Sequence, residues 1–248
     1  MISGKSQSDE TSGANKPSAS AKPSDENPIV AMDDSLNEDQ ILALLKSNDL
    51  AAEQIEQIAR NSAAMKSRKV RLAVAANAHA PRRVSLRVIR EFYTFDLVQF
   101  GRIPAAAADL KRIADELLIS RLASITLGER ISLARRSSAL VAAALLLDRE
   151  SSVWQPALEN PRLTEVAIVK ALQRPAVTAA LVEAICRHPK WSVRREVRIA
   201  LLRNQHTPLA RAIEFARRLP PPLLRDLLRA SKLPEKIKEY LRKELLQR

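Results

Sequence analysis

The chain has 248 residues, a net charge of +13 and a hydrophobic fraction of 46%, a composition typical of a soluble helical protein rather than of a membrane or disulfide-rich one. Its four glycines are too few for a β-rich fold, because tight hairpin turns need residues that tolerate positive φ. The single cysteine, Cys186, excludes an intrachain disulfide, and the N-terminus lacks the pattern of a secretory signal. No apolar run reaches the roughly 20 residues that a membrane span needs. The sequence therefore predicts a cytoplasmic protein that does not enter a membrane.

The charge divides the chain into two parts. Residues 1 to 38 hold seven acids and three lysines, a net charge of −4, so the remainder carries +17. Residues 1–37 have almost no large apolar side chain, and such a segment cannot bury enough surface to fold. The sequence thus predicts a disordered acidic tail at 1–37 and a helical repeat domain at 38–248. The tail is interpreted as a solubilising leader or, alternatively, as a segment that lies on the basic domain and competes with an anionic partner.

Helical spacing begins at Asn37. Apolar residues then recur at i, i+3 and i+4, first in 41–45 and again in 55–59, which predicts a first pair of helices. The same spacing predicts further helices over residues 66–77, 105–122, 127–136, 138–148, 164–172, 219–231 and 233–248.

One stretch of the chain occurs twice. Eight residues between positions 60 and 81 recur at a constant offset of 127 without a gap. A weaker copy places Asn160 at 44 residues before Asn204. The offset of 127 residues is close to three units of about 42 residues, the period of helical solenoids. The identical pairs are Arg60 and Arg187, Arg68 and Arg195, Val70 and Val197, Arg71 and Arg198, Ala73 and Ala200, Asn77 and Asn204, His79 and His206, and Pro81 and Pro208.

Each copy predicts the order helix, Asn, short turn, Pro, helix. Asn77 is expected to end its helix in the left-handed conformation, which Asn tolerates. Pro81 is expected to be the first residue of the next helix, where its missing N–H costs nothing. In the second copy, Thr207 is expected to cap the helix that starts at Pro208.

The segment 91–101 interrupts the repeat, because it holds four of the chain's eight aromatic residues. It is interpreted as a helix extension that packs into the core. The alternative is an exposed aromatic docking site.

The units "VRLAVAANAHAP" and "VRIALLRNQHTP" resemble HEAT-type repeats and the related bacterial leucine-rich-repeat-variant units. In those families a Val-Arg pair opens the second helix, and an Asn turn with a following Pro leads to the next repeat. The stretch 127–165 also resembles HEAT-like bacterial proteins of undefined function. The resemblance implies an all-α fold, a right-handed α-α superhelix of the HEAT or armadillo type. It supplies no catalytic residue, because such proteins are scaffolds.

The sequence offers little catalytic or metal-binding chemistry. It has no phosphate-binding glycine motif, paired-cysteine motif or His-Glu-x-x-His sequence, so no cofactor or metal is expected. His79 and His206 occupy equivalent turns, where a hydrogen bond to a helix end is the expected role. Cys186 shares the apolar stripe of Val182 and Ile185 and is interpreted as a buried, inert thiol.

Asp148, Trp154 and Trp191 admit a sharper hypothesis, since some HEAT-like proteins are DNA glycosylases with an acid and tryptophans in a basic groove. The alternative is that both Trp side chains fill gaps between helical layers and that Asp148 lies in a turn.

Arginines at helical spacing form the candidate binding surface, because residues three and four apart share a helix face. The leading hypothesis is a non-enzymatic scaffold that binds an acidic protein partner through them. Nucleic-acid binding, with or without glycosylase activity, is the alternative; no small-molecule substrate is evident. Alternatively, the arginines form a solvated surface that nearby acids partly neutralise. The candidate residues are Arg68, Arg71, Arg83, Arg87, Arg90, Arg195 and Arg198.

Overall fold

The computed structural model describes residues 36–47 and 50–246, and every regular element among them is helical. The all-α prediction is confirmed. The tail predicted at 1–37 lies outside these residues except for its last two positions. The α-helices are α1 Glu38–Lys46, α2 Ala52–Arg60, α3 Arg68–Ala76, α4 Arg82–Arg90, α5 Thr94–Phe100, α6 Ala108–Arg121, α7 Leu127–Arg136, α8 Ala139–Leu145, α9 Ser151–Leu158, α10 Glu165–Gln173, α11 Ala179–Arg187, α12 Arg195–Leu202, α13 Leu209–Arg217, α14 Pro221–Ala230 and α15 Glu235–Leu246.

Two runs of six helices start at positions that differ by 127 throughout. Helices α1 to α6, here the first module, correspond one by one to α10 to α15, the second module. Helices α7 to α9 lie between them in the chain. The repeat therefore extends well beyond the eight identical residues, because the spacing of all six helix starts matches as well. The paired starts are Glu38 and Glu165, Ala52 and Ala179, Arg68 and Arg195, Arg82 and Leu209, Thr94 and Pro221, and Ala108 and Glu235.

The two modules also share their internal contacts. Helix α3 packs against α1, α4 and α5, as α12 packs against α10, α13 and α14. Helix α6 contacts α4 and α5, as α15 contacts α13 and α14. The cores use matching positions, for example Val70 with Val197 and Ile58 with Ile185, all of them buried. Burial of apolar surface at these positions is the main stabilising contribution to each module.

An asparagine joins neighbouring helices at three places, and we call this arrangement the asparagine bridge. The side-chain Nδ2 of Asn77, Asn160 and Asn204 donates to a carbonyl oxygen in the last turn of α1, α7 and α10, over 3.0, 2.8 and 2.9 Å. The Oδ1 of each accepts the backbone N–H two residues later, over 2.8, 2.9 and 2.9 Å. The last four carbonyls of a helix lack intrahelical partners, and each bridge satisfies one of them.

The structure of these turns corrects three predictions. Asn77 has φ −68° and ψ 130°, an extended and not a left-handed conformation, so its side chain, not its backbone freedom, explains its presence. Pro81 and Pro208 precede α4 and α13 as their N-cap residues and are not the first helical residues. Thr207 does not cap α13; its Oγ1 donates to the carbonyl oxygen of Leu201 over 2.6 Å.

The aromatic segment divides between core and surface. The chain turns after α4 and starts a separate helix, α5, so the predicted extension of one helix is wrong. Phe92 and Phe100 are buried with ring centroids 5.9 Å apart, whereas Tyr93 and Phe95 are exposed. Packing into the core thus describes two of the four aromatic residues, and a docking role for the two exposed ones stays a prediction.

The bridge predicts the effect of Asn204→Ala. Because Asn204 is buried, the substitution leaves the carbonyl oxygen of Leu172 without its partner, and we expect a loss of roughly 1 to 3 kcal/mol in the free energy of unfolding. Asn77→Ala removes the same bonds at a more exposed site and should cost less. Urea denaturation measures both changes, with the exposed Gln205→Ala as control. An Asn204→Ala variant as stable as the control would contradict a structural role for the bridge.

Candidate binding surfaces

Two of the predicted arginines are held in ion pairs within the first module. Arg68 on α3 pairs with Asp96, a buried carboxylate on α5. Arg83 on α4 pairs with Glu56 on α2, and the two charged groups are 2.5 Å apart. An arginine whose charge is already matched contributes less to a positive surface.

Arg71 and Arg198, which occupy equivalent positions, are partly buried. The Nε of Arg71 is buried without a hydrogen-bond partner. The Nε of Arg198 donates to the carbonyl oxygen of Ser192 over 2.7 Å, and its guanidinium lies 5.9 Å from the ring centroid of Phe215. Burial, and secondarily the charge of Arg218, lowers the pKa of Arg198. Both side chains therefore pack within the protein and do not extend fully into solvent.

The remaining three predicted arginines differ among themselves. Arg87 donates to the carbonyl oxygen of Ala59 over 3.0 Å. Arg90 and Arg195 are exposed, and neither forms an ion pair with a described residue. These two lie in different modules. The assignment of all seven arginines to a partner surface stays a prediction, to which Arg90 and Arg195 contribute most.

The residues of the glycosylase hypothesis are occupied by structural contacts. Asp148 accepts a hydrogen bond from Arg130 over 2.7 Å, and its second oxygen accepts the backbone N–H of Glu150 over 3.0 Å. Trp154 and Trp191 are buried, which confirms that they fill interior space. The indole N–H of Trp191 donates to the carbonyl oxygen of Leu158 over 3.0 Å. Buried rings offer no face on which a nucleic-acid base can stack.

The turn histidines act through their backbones. The N–H groups of His79 and His206 donate to the bridging asparagines, and Arg162 does the same at the third bridge. The predicted hydrogen bond to a helix end is thus made by the asparagine side chain and not by the imidazole.

The described part of the chain contains neither a metal-binding cluster nor a helix that could span a membrane. No group of three or more His, Cys, Asp or Glu side chains there is arranged to hold a metal ion. No helix among those residues combines the length and apolar character needed to cross a membrane.

A groove at the ends of three helices in the second module was missed by the sequence reasoning. We call it the cationic groove, and its volume is about 410 Å³. Arg174 follows α10, Arg203 follows α12 and Lys232 follows α14, and all three side chains line it. They are exposed, and none forms an ion pair with a described carboxylate. The described lining also includes Asn204 and His206 but no Asp or Glu.

The first module supplies an internal comparison for this groove. At 127 residues before Arg174, Arg203 and Lys232 the chain has Ser47, Ala76 and Ala105. Cations suit the C-terminal ends of helices, since they interact favourably with the helix dipole there. The fold forms without them in the first module, however, so the three cations are a property of the second module alone. Their equal spacing of 29 residues is the signal by which the sequence could have revealed them.

No protein-family model, curated protein or solved structure matches the chain. The resemblance to HEAT-type repeats therefore stays a prediction.

The environment of Cys186 predicts its reactivity. Burial raises the pKa of this thiol to about 12, so at pH 8 it stays protonated and shielded from solvent. We expect no reaction with a thiol reagent in the folded protein and complete labelling after unfolding in urea. The absorbance of the chromophore that the reagent releases measures the labelling of the folded and of the unfolded protein, with Cys186→Ala as the blank. Rapid labelling of the folded protein would contradict this description of the site.

Proposed function

We propose that the protein is a non-enzymatic helical-repeat scaffold that binds an acidic segment of a partner protein. The cationic groove is the observation that carries this proposal. Three exposed cations that form no ion pair with a described carboxylate converge on it, and arginine favours bidentate contacts to carboxylates. The groove is small, which suits a short acidic segment.

The proposal includes the arrangement of the helices as a right-handed α-α superhelix. Its support is the repeated packing of α3 with α1 and of α12 with α10. Each asparagine bridge links the C-terminal ends of two packed helices, so the two helices of a pair run in the same direction, as in successive layers of a solenoid. We place the scaffold in the cytoplasm, because its one cysteine is a buried free thiol.

A protein partner is favoured over nucleic acid by the surface chemistry. Both tryptophans are buried and cannot stack on a base, and Asp148 forms an ion pair with Arg130. Phosphate-backbone binding needs cations along an extended track, whereas several of the predicted arginines are paired or packed. Glycosylase activity would need a free acid, and the acid that the sequence suggested, Asp148, is paired with Arg130.

The test uses residues from the first module as substitutions. We expect the full chain to bind a fluorescein-labelled oligoglutamate peptide, with an affinity that falls as salt rises. Replacement of the three groove cations by their first-module counterparts, Arg174→Ser, Arg203→Ala and Lys232→Ala, should weaken binding by about tenfold, or roughly 1.4 kcal/mol. Fluorescence anisotropy measures both affinities.

A matched control removes the same charge elsewhere. Arg149→Ala, Arg225→Ala and Lys243→Ala replace three exposed cations outside the groove and should leave most of the affinity intact. Equal losses in the two triple variants would reduce the effect to net charge and refute the groove. Tighter binding of single-stranded DNA than of the peptide would instead support the nucleic-acid alternative.

A further inference from the structure

A second groove adjoins the cationic one. It lies between α6, α8 and α10, has a volume of about 650 Å³, and we call it the apolar groove. Alanines from α8 and α10 form much of its lining. Two larger apolar side chains, Leu140 and Val166, also line it and are 45% and 62% exposed. Apolar side chains gathered along a concave surface in this way are a feature of partner-binding sites.

Cations lie where the two grooves meet. Lys170 and Arg174 line the apolar groove, and Arg174 also lines the cationic groove. The described lining of the apolar groove contains no carboxylate. Lys170, like Arg174, has no ion pair with a described residue. An apolar surface thus passes into a positive one through a single shared arginine.

We infer that the two grooves form one docking surface for a partner segment in which a run of apolar side chains is followed by carboxylates. The inference rests on the proposed function and specifies its partner. The apolar side chains would enter the groove between α8 and α10, and the carboxylates would pair with Arg174 and the cations beyond it. Apolar contact supplies affinity, while the charges fix the direction in which the segment lies.

Charge complementarity distinguishes this occupant from a second copy of the chain. Residues 39–248 carry a net charge of +17 by sequence, so the body of a second copy would bring like charge to a surface already lined by cations. Like charges brought together oppose association. An acidic segment instead brings opposite charge to the same cations.

Three labelled peptides test the inference with the full chain. The first has a run of leucines followed by a run of glutamates, the second has serines in place of the leucines, and the third has lysines in place of the glutamates. We expect the first to bind about tenfold more tightly than the second, a difference of roughly 1.4 kcal/mol. The third should bind least, because its charges face Lys170 and Arg174.

Paired variants locate the contact. Leu140→Ser with Val166→Ser should lower the affinity for the leucine–glutamate peptide to that of the serine–glutamate peptide, and leave the latter unchanged. Val193→Ser with Leu209→Ser removes two apolar residues of similar exposure, 57% and 43%, outside both grooves and should have no effect.

The outcomes separate the two proposals. If both acidic peptides bind equally, or if the groove variant binds like wild type, the apolar groove is not part of the site while the acidic-segment proposal stands. If neither acidic peptide binds, both proposals fail. If sedimentation shows a dimer that the Leu140 and Val166 substitutions dissociate, the occupant is a second copy and the inference is overturned.

Discussion

A side-chain amide at the end of a helix holds successive helices of this protein together. A buried carbonyl without a partner is costly, and helix ends carry several such groups. Asparagine has a donor and an acceptor on one short side chain, so it can bind the end of a neighbouring helix and its own turn at once. The residue that follows α14 shows that a serine can perform the same role. There Ser231 donates to the carbonyl oxygen of Leu202 over 2.6 Å and accepts the N–H of Leu233 over 3.1 Å, so a hydroxyl performs both functions.

Equivalent positions of the two modules agree in much of the interior and differ on parts of the surface. Many core positions keep their apolar character, as in Ile41 and Ile168, because a change of volume in a packed interior is destabilising. Surface positions are free of that constraint. Ser47 corresponds to Arg174 and Asp39 to Val166, so the two modules carry different surfaces. The differences between the modules therefore indicate which residues the fold requires and which it does not.

The sequence predicted the helices better than it predicted the candidate site. Periodic apolar residues placed α7 at 127–136, where the structure has it, because periodicity reflects burial on one face. Helix α9 falls outside the predicted helices, and it contains Pro156, a residue that disfavours a helix interior. Asparagine was recognised as a marker of the turn, but its conformation was not, since a bond to a helix far away in the chain has no local signature. The cations of the groove were missed for the same reason, because residues 29 apart become neighbours only after the helices pack.

The fluorescence of the two tryptophans reports on only part of the molecule. Trp154 lies in α9 and Trp191 precedes α12, so the first module contains neither of the chain's two indoles. Intrinsic fluorescence therefore reports on the middle and the C-terminal part of the chain, whereas circular dichroism reports on helices throughout. Coincident transitions from the two signals indicate that both modules unfold as one cooperative unit. Separate transitions indicate that the two modules have independent stabilities.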